Sequence, residues 1–137
     1  MSAEQNKDIY RRFIQEVFNE GRLERAAAYA GADYVVQESV PGTPAGVEGI
    51  RHSVAMFRAG FPDLHIALDT LIAEGEWIAA RSTLRGTHKG TIMGIAPTGN
   101  AIAVTSLTMV RIVDAKLRES WVKTDMAALM TQLGVSR

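Results

Sequence analysis

The 137-residue chain contains no cysteine, which excludes a disulfide framework, a thiolate nucleophile and a Cys-ligated zinc site. That composition fits a cytoplasmic protein. Charge of one sign is missing as well. The 15 basic and 15 acidic residues cancel to a formal +0, so the electrostatic footprint of a nucleic-acid binder or a polybasic membrane anchor is absent. No uninterrupted apolar run is long enough to span a bilayer, and the polar, mixed-charge stretch Met1 to Asp8 cannot form the apolar core of a signal peptide. The three histidines, His52, His65 and His88, have no metal-ligand spacing, and no serine sits in a Gly-x-Ser-x-Gly elbow. These absences leave small molecules and proteins as partners, with no metal or other cofactor expected.

With 47% hydrophobic residues, a chain of this length can bury a core as one domain, residues 1–137. From Ala3 to Glu20 the apolar residues Ile9, Tyr10, Phe13, Ile14, Val17 and Phe18 recur every three or four positions, the stripe of an amphipathic helix stopped by Gly21. A short helix is predicted over Arg22 to Ala30 and a first strand over Asp33 to Glu38, where aromatic and β-branched residues gather. Glycine and proline make Val40 to Gly46 a loop. A third helix runs from Val47 to Ala59, ended by Gly60 and Pro62. Long strands follow over Leu64 to Glu74, Trp77 to His88 and Ala101 to Val113. A tight turn at Asp114-Ala-Lys116 leads into a last strand, Leu117 to Thr124, and a closing helix carries Met126, Leu129, Met130 and Leu133. Helices on one face of a curved antiparallel sheet make an α+β cone, an architecture that builds cavities.

Between the second and third of these long runs lies Gly86-Thr-His-Lys-Gly-Thr-Ile-Met-Gly-Ile-Ala-Pro-Thr-Gly99. Its four glycines and Pro97 preclude a helix, while Ile92, Met93 and Ile95 are too apolar for a free tip, so the segment packs over something. Together with Phe57-Arg-Ala-Gly-Phe-Pro-Asp-Leu64 and Glu119-Ser-Trp121, it resembles the SnoaL-like polyketide (ester) cyclases of the nuclear-transport-factor-two-like superfamily. The likeness extends from Ile9 to Leu133. It implies a cystatin-like α+β barrel and a cofactor-independent ring closure in which a carbon acid loses a proton and an oxyanion is stabilised.

The resemblance also implies where a site would sit. Family members carry a histidine after the Asp-Tyr of the first strand, an Asp or His midway along the fourth strand, and a His or Asp before the tryptophan of the last. The matching residues here are Gln37, Thr108 and Ser120, which hydrogen-bond but do not titrate near neutral pH. Those three are expected to converge on one cavity, with Trp121, Phe57, Phe61 and Met93 along its walls and Met93 as a lid. Titratable substitutes are Asp125, Glu119 and His88. Each has a structural alternative: an N-cap for Asp125, a cross-strand ion pair for Glu119, a bond to local backbone for His88. His52 and His65 read as solvated. Arg81 and Arg85 alternate with Thr83 and Thr87; inside the cavity they would resemble the Asp-Arg-Asp arrangement of limonene epoxide hydrolases, and outside they form a charged sheet face.

Alternation on the last two strands leaves open which face is inward. Ser106, Thr108 and Val110 oppose Thr105, Leu107 and Met109, and Ser120 and Val122 oppose Glu119, Trp121 and Lys123. Two functions therefore stand: an enzyme acting on a hydrophobic, carbonyl-bearing small molecule, or a non-catalytic ligand-binding or dimerisation module. In either case a homodimer through the outer sheet face is expected.

Overall fold

A computed structural model describes residues 2–135. Helix α1 (Ala3–Phe13) opens on a capping box in which Ser2 and Gln5 satisfy each other's backbone amides, and it buries Ile9, Tyr10 and Phe13. The expected continuation to Glu20 is present but wider: Ile14–Asn19 is π-helical, with Glu20 N–H donating to Gln15 C=O at 2.9 Å. After a 3₁₀ turn at Leu23–Arg25 come α2 (Ala26–Tyr29), β1 (Val35–Gln37), α3 (Val47–Gly60), β2 (His65–Glu74), β3 (Trp77–Thr87), β4 (Ala101–Val113), β5 (Lys116–Thr124) and α4 (Met126–Gln132).

The five strands form one sheet in the order β1-β5-β4-β3-β2. Strands β2 to β5 make an antiparallel meander. The sheet is mixed rather than wholly antiparallel, because β1 runs parallel to β5. Strand β1 is also shorter than the expected Asp33 to Glu38. Tyr34 N–H still turns back to Gly31 C=O at 3.3 Å, and Glu38 takes a left-handed φ of 52° that ends the extended run.

Helices cover one face, and the alternation of burial follows. On β4 the inward residues Ile102, Val104, Ser106, Val110 and Ile112 are buried, while Thr105, Leu107 and Met109 are exposed. Bulges at Leu68/Thr70 and at Arg111/Ile112 bend the outer and last strands and increase their twist.

Two side-chain amides finish the ladders where strands run out of partners. Asn19, delivered by the π-helical turn, accepts from Ile66 N–H at 2.7 Å and donates to Ile66 C=O at 3.0 Å on the free edge of β2. Gln132 does the same for Ala103 beyond the end of β5, at 2.7 and 3.0 Å. A primary amide has the donor–acceptor pair of a peptide group, so each plugs two backbone groups at once.

The β4–β5 turn is a two-residue hairpin with both central residues left-handed, Asp114 at φ 52° and Ala115 at φ 64°. A β-carbon at that φ costs roughly 1 kcal/mol. Ala115→Gly is therefore expected to raise the unfolding free energy by about 1 kcal/mol; an unchanged or lower denaturation midpoint would contradict this.

Candidate functional site

The inward face of β3, β4 and β5 carries rows of hydroxyls. Cross-strand partners Ser82, Ser106 and Thr124 form one row, Ala80, Thr108 and Val122 the next, and Ile78, Val110 and Ser120 the third. Residues opposite or diagonal on one face lie roughly 5–8 Å apart, so the three rows make one continuous surface. Val122 is inward by parity yet 42% exposed, and Thr108 and Thr124 are half-buried. The face is thus open to solvent around Val122 and closed elsewhere.

Two hydroxyl pairs meet there. Tyr34 Oη donates to Ser120 Oγ at 2.7 Å, and Ser106 Oγ and Thr124 Oγ1 are 3.0 Å apart; the buried Tyr10 phenol, on α1, lies near Thr108. Each pair holds two hydroxyl protons and uses one in its mutual bond. The hydrogen bonds among the described residues give the second proton of each pair no protein acceptor. Burial pushes the Tyr10 phenol far above the usual tyrosine range, the Thr108 hydroxyl opposing, and raises Tyr34 for the same reason. Both phenols stay protonated, as donors.

The titratable candidates are not brought together. Asp125 is exposed and caps α4, accepting from Ala128 N–H at 3.0 Å. Glu119 lies on the outer face, accepting from Gln37 Nε2 at 2.8 Å and from Arg111 Nε at 3.4 Å. His88 is fully buried against Phe61, ring centroids 5.6 Å apart. Its Nδ1 accepts from Thr98 N–H at 3.2 Å and lies 2.9 Å from Thr98 Oγ1, so the local backbone bond is made. Its Nε2 has no hydrogen-bond partner. No carboxylate among the described residues is buried, and no cluster of three metal-ligating groups is present among them.

The register overturns part of the expected pocket. Gln37 pairs in parallel with Trp121, and Val36 with Ser120, so Gln37 faces outward and does not converge with Thr108 and Ser120, which do share the inner face. Trp121 is likewise outward and 40% exposed. Phe61 is wholly buried in the core and Phe57 half-buried against it, while Met93 sits exposed in the two-residue turn between Ile92 and Ile95. Arg81 and Arg85 are exposed on the outer face, Arg81 donating to Thr70 at 3.1 Å, and His52 and His65 are exposed too. An open cleft of about 420 Å³ on the outer face is lined by Gln37, Arg111, Arg118 and Glu119 among others. Its charges are already paired, Arg118 with Asp33 at 2.8 Å and Arg111 with Glu119.

A family model described as SnoaL-like polyketide cyclase matches residues 8–133. The chain belongs to that family. SnoaL-like relatives with assigned activities include aklanonic acid methyl ester cyclase DnrD of Streptomyces peucetius, 26% identical over 130 residues, 93% of this chain and 89% of that one. Nogalonic acid methyl ester cyclase of Streptomyces nogalater is 29% identical over 119 residues, 85% and 89% of the two chains. Among SnoaL-like folds of known structure, IdmH from Streptomyces antibioticus aligns with a TM-score of 0.81 at 32% identity, covering 96% of this chain and 99% of its own. TsrD from Streptomyces laurentii reaches 0.90 at 26%, covering 99% of each. Tyr10, Tyr34, Ser82, Ser106 and Thr124 were not among the sequence-derived site residues. The signal available for Ser82, Ser106 and Thr124 was polar residues recurring at alternate positions of otherwise apolar strands; Tyr10, on α1, and Tyr34, ahead of β1, carried none.

Proposed function

We propose that this chain binds a hydrophobic, carbonyl-bearing small molecule on the inner sheet face and promotes its ring closure without a cofactor. The observation that carries the reading is the set of hydroxyls on that face, Tyr34 bonded to Ser120 and the Tyr10 phenol near Thr108. In an aldol closure the ligand's carbon acid loses its proton, the electron pair passes to a carbonyl oxygen as an enolate, a carbon–carbon bond forms, and a second carbonyl becomes an alkoxide. Preorganised donors lower the energy of both oxyanions, and a hydroxyl or water proton quenches the alkoxide. With no buried carboxylate among the described residues to act as base, the proton on carbon leaves to water entering beside Val122.

The test uses aklanonic acid methyl ester, which the name of one relative specifies, with chromatography of the products. Ring-closed product above the buffer background is expected. Tight binding without turnover would instead favour a non-catalytic module, a reading that the lack of a buried carboxylate among the described residues supports. Neither binding nor turnover would remove both for this ligand.

We also infer a homodimer through the outer face. Ile72, Leu107, Met109 and Trp121 are 60%, 55%, 49% and 40% exposed and lie on two adjacent cross-strand rows of that face, an apolar patch that association would hide. Sedimentation at micromolar concentration is expected to give twice 14.9 kDa, falling to the monomer for Met109→Lys. A wild-type monomer would end the inference. Among the described residues no helix is long and apolar enough to cross a membrane; the cysteine-free composition agrees with a reducing, cytoplasmic setting.

A further inference from the structure

We infer that Thr124, positioned by Ser106, forms a second anchor for an oxygen atom of the ligand, separate from the hydroxyls of Tyr10, Thr108, Tyr34 and Ser120. The inference rests on the proposed inner-face reading. Thr124 is the last residue of β5, inward by register with Ser106 and half-buried where Ser106 is 4% exposed. The buried member therefore holds the accessible one. Ser82, the third hydroxyl of that row, spends its proton on the Ser106 carbonyl at 3.4 Å, which leaves Ser106 and Thr124 as an isolated pair of two protons and one bond. One proton stays available at the open side.

The placement sets the kind of ligand. Thr124 is the diagonal neighbour of Thr108, and Val122 pairs with Thr108 and precedes Thr124 by two residues, so the two partly accessible threonines stand roughly 7 Å apart, both beside an exposed apolar side chain. A molecule with one carbonyl engages one of them. A flat molecule with two opposed carbonyls can lie over Val122 and engage both. No lysine, arginine or carboxylate belongs to these rows, so the anchor suits a neutral oxygen rather than an anion.

The experiment is calorimetric titration of the whole chain with 1,4-naphthoquinone and with its one-carbonyl counterpart 1-tetralone; the absence of cysteine removes thiol arylation by the quinone. Thr124→Val, similar in shape without the hydroxyl, is expected to weaken naphthoquinone roughly fivefold to tenfold, the share of one net hydrogen bond. It should leave tetralone unchanged, and Thr124→Ser should restore the quinone affinity. Equal weakening of both ligands, or of neither, would overturn the second anchor while keeping the inner-face site. Failure of the wild type to bind either compound would overturn the inner-face reading and the anchor with it.

Discussion

Gly90→Ala is expected to lower the unfolding free energy by about 3 kcal/mol, at the upper end of overpacking costs. A β-carbon on Gly90 would lie 1.9 Å from the carbonyl oxygen of Ala59 and 2.9 Å from its carbon. The obstacle is backbone of α3, so no rotamer change relieves it. The neighbouring amides make the approach necessary: Lys89 and Gly90 N–H both donate to Gly60 C=O, at 3.0 and 3.1 Å. Gly60 in turn has Ile92 where its own β-carbon would go, at 2.8 Å. Moving the segment away therefore breaks two hydrogen bonds and uncovers Ile92, 2% exposed, and His88 and Phe61, both 0%. For a chain of this size the melting temperature should drop by roughly 10 °C, with new protease cleavage between His88 and Gly99. Gly94, left-handed at φ 75° with nothing near its missing β-carbon, should cost only about 1 kcal/mol on the same change. Equal losses at the two positions would show that local backbone strain, and not the contact with α3, governs the segment.

Tyr10→Phe is expected to lower turnover of a cyclisable ester about a hundredfold, the typical effect of removing one donor to a developing oxyanion. The ring stays in the core of α1, where Tyr10 is 5% exposed, and the inner face loses one hydroxyl donor. Affinity should change much less than kcat, because the donor matters most when charge develops. Asp125→Asn retains a capping side chain, and Glu119→Gln lies on the opposite sheet face, so both should leave turnover unchanged. A Tyr10→Phe protein with wild-type kcat, or a large fall for Asp125→Asn, would transfer the chemistry from the phenols to the carboxylate.

Strands β2 to β5 could be read from the chain to within a residue or so at either end, because their alternation is long and glycine, proline or a tight turn punctuates them. Strand β1 was less legible. Three residues carry little pattern, and its parallel partner lies more than 80 positions away, a pairing that no local window contains. Face assignment failed for a definite physical reason. Leu117 is inward and paired with Ile112, but the bulge pairs Arg111 with Glu119, so the extra residue Arg118 reverses the parity. Without it Glu119 would point into the core and Ser120 to solvent. The same one-step sensitivity acts on Gln37: Val36 is level with Ser120, which sends Gln37 out to bond Glu119. Asp125 and Glu119 could be assigned structural alternatives from their positions alone, whereas Tyr10 and Tyr34 look like ordinary core aromatics until their hydroxyls are seen beside Thr108 and Ser120.

The amide plugs at Asn19 and Gln132 give the protein a chemical clock. Hydrolytic deamidation turns either side chain into a carboxylate, which accepts but cannot donate. At Asn19 the new oxygen would face the Ile66 carbonyl it now holds at 3.0 Å, two acceptors in contact, on an edge strand whose remaining protection is its bulge at Leu68/Thr70. Stored protein that has gained about one dalton at Asn19 should expose an unpaired strand edge, and that fraction should be the first to aggregate.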